Sequence, residues 1–181
     1  MITQSICGNL SSVRDWISSP AIRFVLLFGL WLGLFSLLFQ IAAVDEWLVV
    51  PLTRGIAHVS NVGLHLIGFD TEVSGTVIQG SEGLAVNILK GCNGAYVMAI
   101  FAAAVLAFPA PWGFRLAGLA VGMPAVQIIN LGRIISLYYI GVNHPALFEK
   151  FHYEVWQTIV ILLSMALWLG WAEISSRVAR G

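Results

Sequence analysis

Charge is what this sequence has least of: nine Lys and Arg and nine Asp and Glu, 10% of 181 residues. A soluble domain carries roughly 25% charged residues, because its surface must stay hydrated. Most of this surface must therefore face something other than water. The formal net charge is zero, which leaves neither the basic footprint of a nucleic-acid binder nor an acidic tail. The two cysteines, Cys7 and Cys92, are too few for a disulfide framework. No HExxH or comparable ligand set is present, so neither a metal nor a cofactor is expected. Internal repeats and low-complexity tracts are absent. A cleavable signal peptide is not expected, because the first apolar run begins only after Ser11, Ser12, Arg14 and Asp15 and is long enough to stay in a bilayer.

Apolar residues are abundant, at 59% of the chain with a mean hydropathy of +0.87. These values, and the length, predict one polytopic unit: an all-α integral membrane protein with a bundle of about four transmembrane helices. A span needs about 20 apolar residues, and the runs 24–44, 94–114, 116–140 and 155–172 supply them. The second is short, reading "GAYVMAIFAAAVLAF" before Pro109 and Pro111, so it either begins in a recess or continues through Trp112. Trp16, Trp47, Trp112, Trp156 and Trp171 fall near run ends, where interfacial aromatic belts sit.

Residues 45–93 differ in character. Glu46–Phe69 has apolar residues at helical spacing but also Arg54, His58, Asn61 and His65, the pattern of an amphipathic helix lying at the interface. Two β-prone stretches follow, Val73–Ile78 and Leu84–Leu89, separated by Gln79–Gly83, and they predict a short β-hairpin leading into Cys92. With four spans, Arg14, Arg23, Arg115, Arg177 and Arg180 share one side and Arg54, Lys90 and Lys150 the other. The positive-inside rule makes the first side cytoplasmic, including residues 1–23. The hairpin, Cys92 and the Asn143–Glu154 loop then face out, and Cys7 lies across the membrane from Cys92 and cannot pair with it.

Arg133 interrupts the third apolar run. A cation inside a span costs at least ~2.5–3.5 kcal/mol on insertion scales, so packing alone rarely retains one. Gln127, Asn130, Arg133 and Ser136 recur every third residue and form a polar stripe on that helix. On the fourth span Gln157 and Ser164 share a face. Helix-to-helix glue is an equal reading for the amides and serines. Cys92 stands in Lys90-Gly91-Cys92-Asn93-Gly94, where the outer segment becomes the second span. The unpaired amides and positive dipole end of a helix N-terminus favour an anion there. The plainer alternative is an inert small apolar residue. His152 stands three residues before the fourth run, on the same outer side, and His144, in a turn before Pro145, is its competitor. A thiol, a guanidinium and an imidazole on one face are the parts of a cysteine acyl-transfer centre.

From about Gly75 to Ala172 the sequence resembles the exosortase/archaeosortase group of membrane transpeptidases, and most closely the exosortase H branch. Three blocks carry the resemblance: "VNILKGCNGAYVMAIFAAAVLAFPAP", "VQIINLGRIISLYYIGVNHPALFEKFH" and "FHYEVWQTIVILL". Their order and spacing together are more specific than any one of them. The family's cysteine matches Cys92, its intramembrane arginine Arg133 and its histidine His152, with His144 the alternative for the third position. Asn93 stands where many relatives have serine, so that middle residue is not expected to be the nucleophile; with Gln127 and Asn130 it is a supporting candidate. The resemblance implies a cysteine protease/transpeptidase of the bacterial cytoplasmic (inner) membrane with its active site facing outward. Implied partners are membrane-anchored precursors ending in a recognition motif, a transmembrane helix and a basic cluster, with a motif of the IPTL type for this branch, and no nucleic acid.

Two other function classes account for parts of the pattern. In a small membrane transporter or channel subunit, Arg133 would hold an anion and Cys92 would be incidental, but no inverted repeat is evident. A haem or quinone protein would use His58 and His65, which share one helix face, whereas axial ligands must approach a macrocycle from opposite sides.

Overall fold

The computed structural model describes residues 19–178. Cys7, Arg14, Trp16 and Arg180, which entered the topology argument, lie outside them. Helix α1, Pro20–Leu38, opens with Pro20 at its first turn and with the Ser19 hydroxyl accepting from the Ile22 N–H. None of its residues is buried. After a turn at 39–41 the chain resumes in Ala42–Val44, passes through a π-helical turn at Asp45–Val49, and continues as α2, Val50–Leu66. Three strands follow: β1 (Thr71–Ser74), β2 (Val77–Gly80) and β3 (Ala85–Asn87). Then come α3 (Ala95–Ala107), α4 (Trp112–Asn143) and α5 (Trp156–Val178). Helical structure runs from Pro145 into α5, through a second π-helical turn at Phe151–Val155.

Among the described residues three helices are long and apolar enough to cross a membrane: α1, α4, and the segment Pro145–Val178 that contains α5. Their outward residues confirm what they face. Leu30, Leu37, Val121, Ile128, Leu162 and Leu169 are all exposed, an apolar surface that water would not tolerate over such an area. α3 is the exception among the four apolar runs. Its 13 residues reach only about 20 Å at 1.5 Å per residue, against about 30 Å of hydrocarbon. Pro109 and Pro111 end it, and it does not continue through Trp112. Its missing length lies at the other end, where residues 88–94 are irregular.

Glycines on α4 let its neighbours come close. A Cβ on Gly122 would collide with the Phe101 ring of α3, and one on Gly118 with the Trp171 indole of α5. Small residues at membrane helix crossings allow this close packing. Phe24–Trp168 and Phe108–Trp171 ring contacts, with the Trp171 indole donating to the Phe114 carbonyl, gather the ends of α1, α4 and α5 that carry Arg23, Arg115 and Arg177.

At the other end lies a second core. Thr53, Ile56, Ala57, Ser60 and Leu64 form the buried face of α2, at the three- and four-residue spacing of one helical face. Ile56, Ala57 and Leu64 pack with Ile78 and Ile88 of the sheet region and with Ile134 and Tyr138 of α4. α2 is not among the helices long and apolar enough to span. The sheet is antiparallel in the order β1-β2-β3. The stretch expected as a single strand over Val73–Ile78 is instead folded on itself at Gly75, whose φ of +66° suits the turn. The expected hairpin across Gln79–Gly83 corresponds to β2–β3, and β1 adds a third strand.

Candidate active site

The irregular segment before α3 determines the site. Non-helical backbone at membrane depth persists only where protein satisfies its polar groups. Here the stripe on α4 does so: Asn130 Nδ2 donates to the Cys92 carbonyl at 3.2 Å and Gln127 Nε2 to the Asn93 carbonyl at 3.1 Å. The Leu89 carbonyl accepts from the N–H groups of Cys92 and Asn93. Asn93, fully buried, accepts from the Ala95 N–H and donates to Thr53 Oγ1 at 2.8 Å, which itself donates to the Val49 carbonyl. Gly94 is left-handed, with φ +75°, and turns the chain into α3. One turn earlier, Lys90 pairs with Asp45 at 2.7 Å and donates to the Phe39 carbonyl at 2.8 Å. The segment is thus tied to α1, α2 and α4.

Cys92 emerges from this turn half-buried, with Sγ 3.1 Å from His152 Nε2. His152 belongs to the π-helical turn Phe151–Val155. Such turns insert an extra residue per turn and recur at functional sites. Its ring is stacked on Phe148, at 5.7 Å between centroids, and lies beside Tyr153. Arg133, only 5% exposed, directs Nη2 at the His152 carbonyl at 3.4 Å, and its Nε is buried without a partner. Ten residues separate it from Asn143, so it lies about 15 Å below that end of α4. Cys92, Arg133 and His152 line one cavity of about 430 Å³, with β3 on one wall and the Pro145–Tyr153 segment on the other. A second cavity of about 530 Å³, mostly apolar, starts at Gly91, Gly94 and Arg133 and runs down between α1, α3 and α5, past Gln157 and Ser164.

The chain therefore brings together Cys92, Arg133 and His152, with Asn93, Gln127 and Asn130 behind the cysteine. His144 is exposed at the end of α4 and does not line the cavity. Ser136, the fourth member of the stripe, bonds back to the Arg133 carbonyl of its own helix. Among the described residues no group of three or more His, Cys, Asp or Glu could hold a metal ion. Sequence reasoning missed Thr53, although its place on the buried face of α2 was available from the helical spacing. It also missed that β3, which lies within the expected stretch Leu84–Leu89, would form a wall of the cavity, because that placement is set by tertiary packing.

A thiol within hydrogen-bond distance of an imidazole, beside a buried cation with an unpaired donor, can perform nucleophilic attack on a carbonyl. A stretch of 56 residues, 31% of this chain, is 39% identical to archaeosortase A of Haloferax volcanii. It spans 18% of that protein's length. No solved structure matches. The family model described as transmembrane exosortase matches residues 12–170, nearly the whole chain. This multi-pass membrane protein therefore belongs to the transmembrane exosortase family.

Proposed function

We propose that the chain is a membrane-embedded cysteine protease/transpeptidase that cleaves C-terminal sorting signals at the extracytoplasmic face of a bacterial inner membrane. The observation that carries the proposal is the 3.1 Å contact between Cys92 Sγ and His152 Nε2 beside buried Arg133. His152 takes the thiol proton as sulfur attacks the scissile carbonyl carbon. Arg133 faces the oxyanion from a mostly apolar cavity wall, and a buried fixed charge acts strongly there. Collapse of the tetrahedral species releases the leaving amine, which takes the proton from His152, and leaves a thioester on Cys92. An acceptor amine or water then attacks the thioester, gives its proton to His152, and regenerates the thiol.

The second cavity supports the expected form of the substrate. Its apolar walls begin beside Arg133 and continue along three helices, so a substrate's transmembrane helix can lie there while its motif reaches Cys92. A transporter would have no use for a thiol held against an imidazole.

The test is co-expression with a candidate precursor carrying a C-terminal tag behind its motif, helix and basic cluster. Wild-type protein should release the tag. Cys92→Ala and Cys92→Ser should not, while remaining membrane-inserted at normal abundance. Normal processing by Cys92→Ala would remove the thiol mechanism.

A further inference from the structure

The sheet has two edges, and the protein treats them differently. Thr71 lies at the outer edge of β1, and the His65 ring of α2 covers its backbone, with Nε2 2.7 Å from the Thr71 carbonyl and 3.3 Å from its N–H. The edge of β3 has no such cover. Gly80 N–H donates to the Leu84 carbonyl and Ile88 N–H to the Thr76 carbonyl, both at 2.9 Å, and Ile78 pairs with Val86 between them. Hydrogen-bonded pairs alternate along an antiparallel ladder. Leu84, Val86 and Ile88 thus turn their backbone groups toward β2, and Ala85 and Asn87 turn theirs away. Among the described residues nothing bonds the N–H or C=O of Ala85 or Asn87.

Exposed edges are normally blunted by lysine, proline, a bulge or a covering element. β3 reads Ala-Val-Asn, with none of the blunting residues, and its edge opens onto the cavity that holds Cys92, Arg133 and His152. Across that cavity stand Phe148, Glu149 and Tyr153. An unpaired edge ending at a nucleophile is suited to holding an extended polypeptide.

Resting on the proposed function above, we propose that the substrate's recognition segment binds as a fourth strand on β3, hydrogen-bonded to the backbone of Ala85 and Asn87. The chain order sets its direction. β3 leads toward Cys92, and the apolar cavity for a membrane helix begins just beyond, at Gly91 and Gly94. A segment that precedes its own transmembrane helix must pass β3, then Cys92, then descend, so it runs parallel to β3. Alternate residues then face the apolar side of the cavity at Leu137 and Phe148, while the residues between them face away. The main chain supplies grip and every second side chain supplies selectivity.

The test uses the enzyme in its membrane with the same tagged precursor. Ala85→Pro removes one outward N–H and sets a ring along the edge. It touches no bond to β2, and proline is tolerated at the first residue of an edge strand. Processing should fall at least tenfold, while alkylation of Cys92 by iodoacetamide stays at the wild-type rate. Should Ala85→Pro not accumulate, purified wild-type enzyme is given synthetic motif peptides, each N-methylated at a single backbone position. Losses of tenfold or more should then fall at every second position. Wild-type processing by Ala85→Pro, or N-methyl effects without alternation, overturns the strand proposal alone, provided that Cys92→Ala is inactive. An active Cys92→Ala overturns the function on which it rests.

Discussion

The two glycines flanking the cysteine should respond in opposite ways to one methyl group. At Gly94 the backbone is left-handed, which costs a residue with a Cβ roughly 1–2 kcal/mol. The new Cβ would also stand 2.9 Å from Gln127 Oε1 and 3.1 Å from Asn130 Cγ and Nδ2. Gln127 Oε1 has no partner, but its amide is held through Nε2 by the Asn93 carbonyl, and the Asn130 amide is committed to the Cys92 carbonyl. Disturbing that bond adds about 1 kcal/mol. The sum, about 2–3 kcal/mol, acts on the turn that aims Sγ at His152. If it is spent on misplacing the sulfur, the rate falls roughly 30- to 150-fold at about 1.4 kcal/mol per tenfold. At Gly91 φ is not positive and nothing lies within 4 Å of an added Cβ. Gly91→Ala should therefore process precursor within about twofold of wild type. The assay is the rate of tag release at matched membrane abundance. Equal rates in Gly91→Ala and Gly94→Ala would refute the reasoning that the Gly94 turn and the α4 amides position the thiol.

Arg133→Lys should lose most activity, because an ammonium cannot reproduce the guanidinium fork that reaches the His152 carbonyl with one nitrogen and leaves another free. Wild-type rates in this variant would reduce Arg133 to a charge or to nothing catalytic. Arg133→Ala must be scored with its abundance, since the same side chain is buried and bonded to the His152 carbonyl. His152→Gln should abolish processing and slow alkylation of Cys92, whereas His144→Gln, at an exposed helix end, should change neither. Loss of activity on replacing His144 alone would reassign the proton carrier.

Composition alone reached the membrane class, because burying so few charges leaves no other solvent. The apolar runs marked the helices, and α1, α4 and the segment leading into α5 are long enough to cross. Arg133 and the Gln127–Asn130 stripe stood out because polarity inside an apolar run is conspicuous. What the stripe does was not legible: its amides bond the main-chain carbonyls of Cys92 and Asn93, a partnership between residues more than thirty positions apart. The extent of α3 was legible only in part. Pro109 marks its end, but its start depends on a left-handed glycine and on tertiary bonds. The π-helical turn that carries His152 has no sequence signature, and it places within a continuous helix a residue expected before one. β1 was obscured because a glycine turn split one apparent strand, whereas β3 fell within the expected stretch Leu84–Leu89.

The central claim is that Cys92 becomes acylated by the substrate. Purified enzyme mixed with a synthetic sorting peptide, quenched in acid within the first turnovers and digested, should yield the Cys92 peptide carrying the substrate's N-terminal fragment. Brief treatment with neutral hydroxylamine should remove the adduct, as expected of a thioester. Cleavage that proceeds with no adduct on Cys92 under any quench, or with an adduct on another residue, would contradict the account.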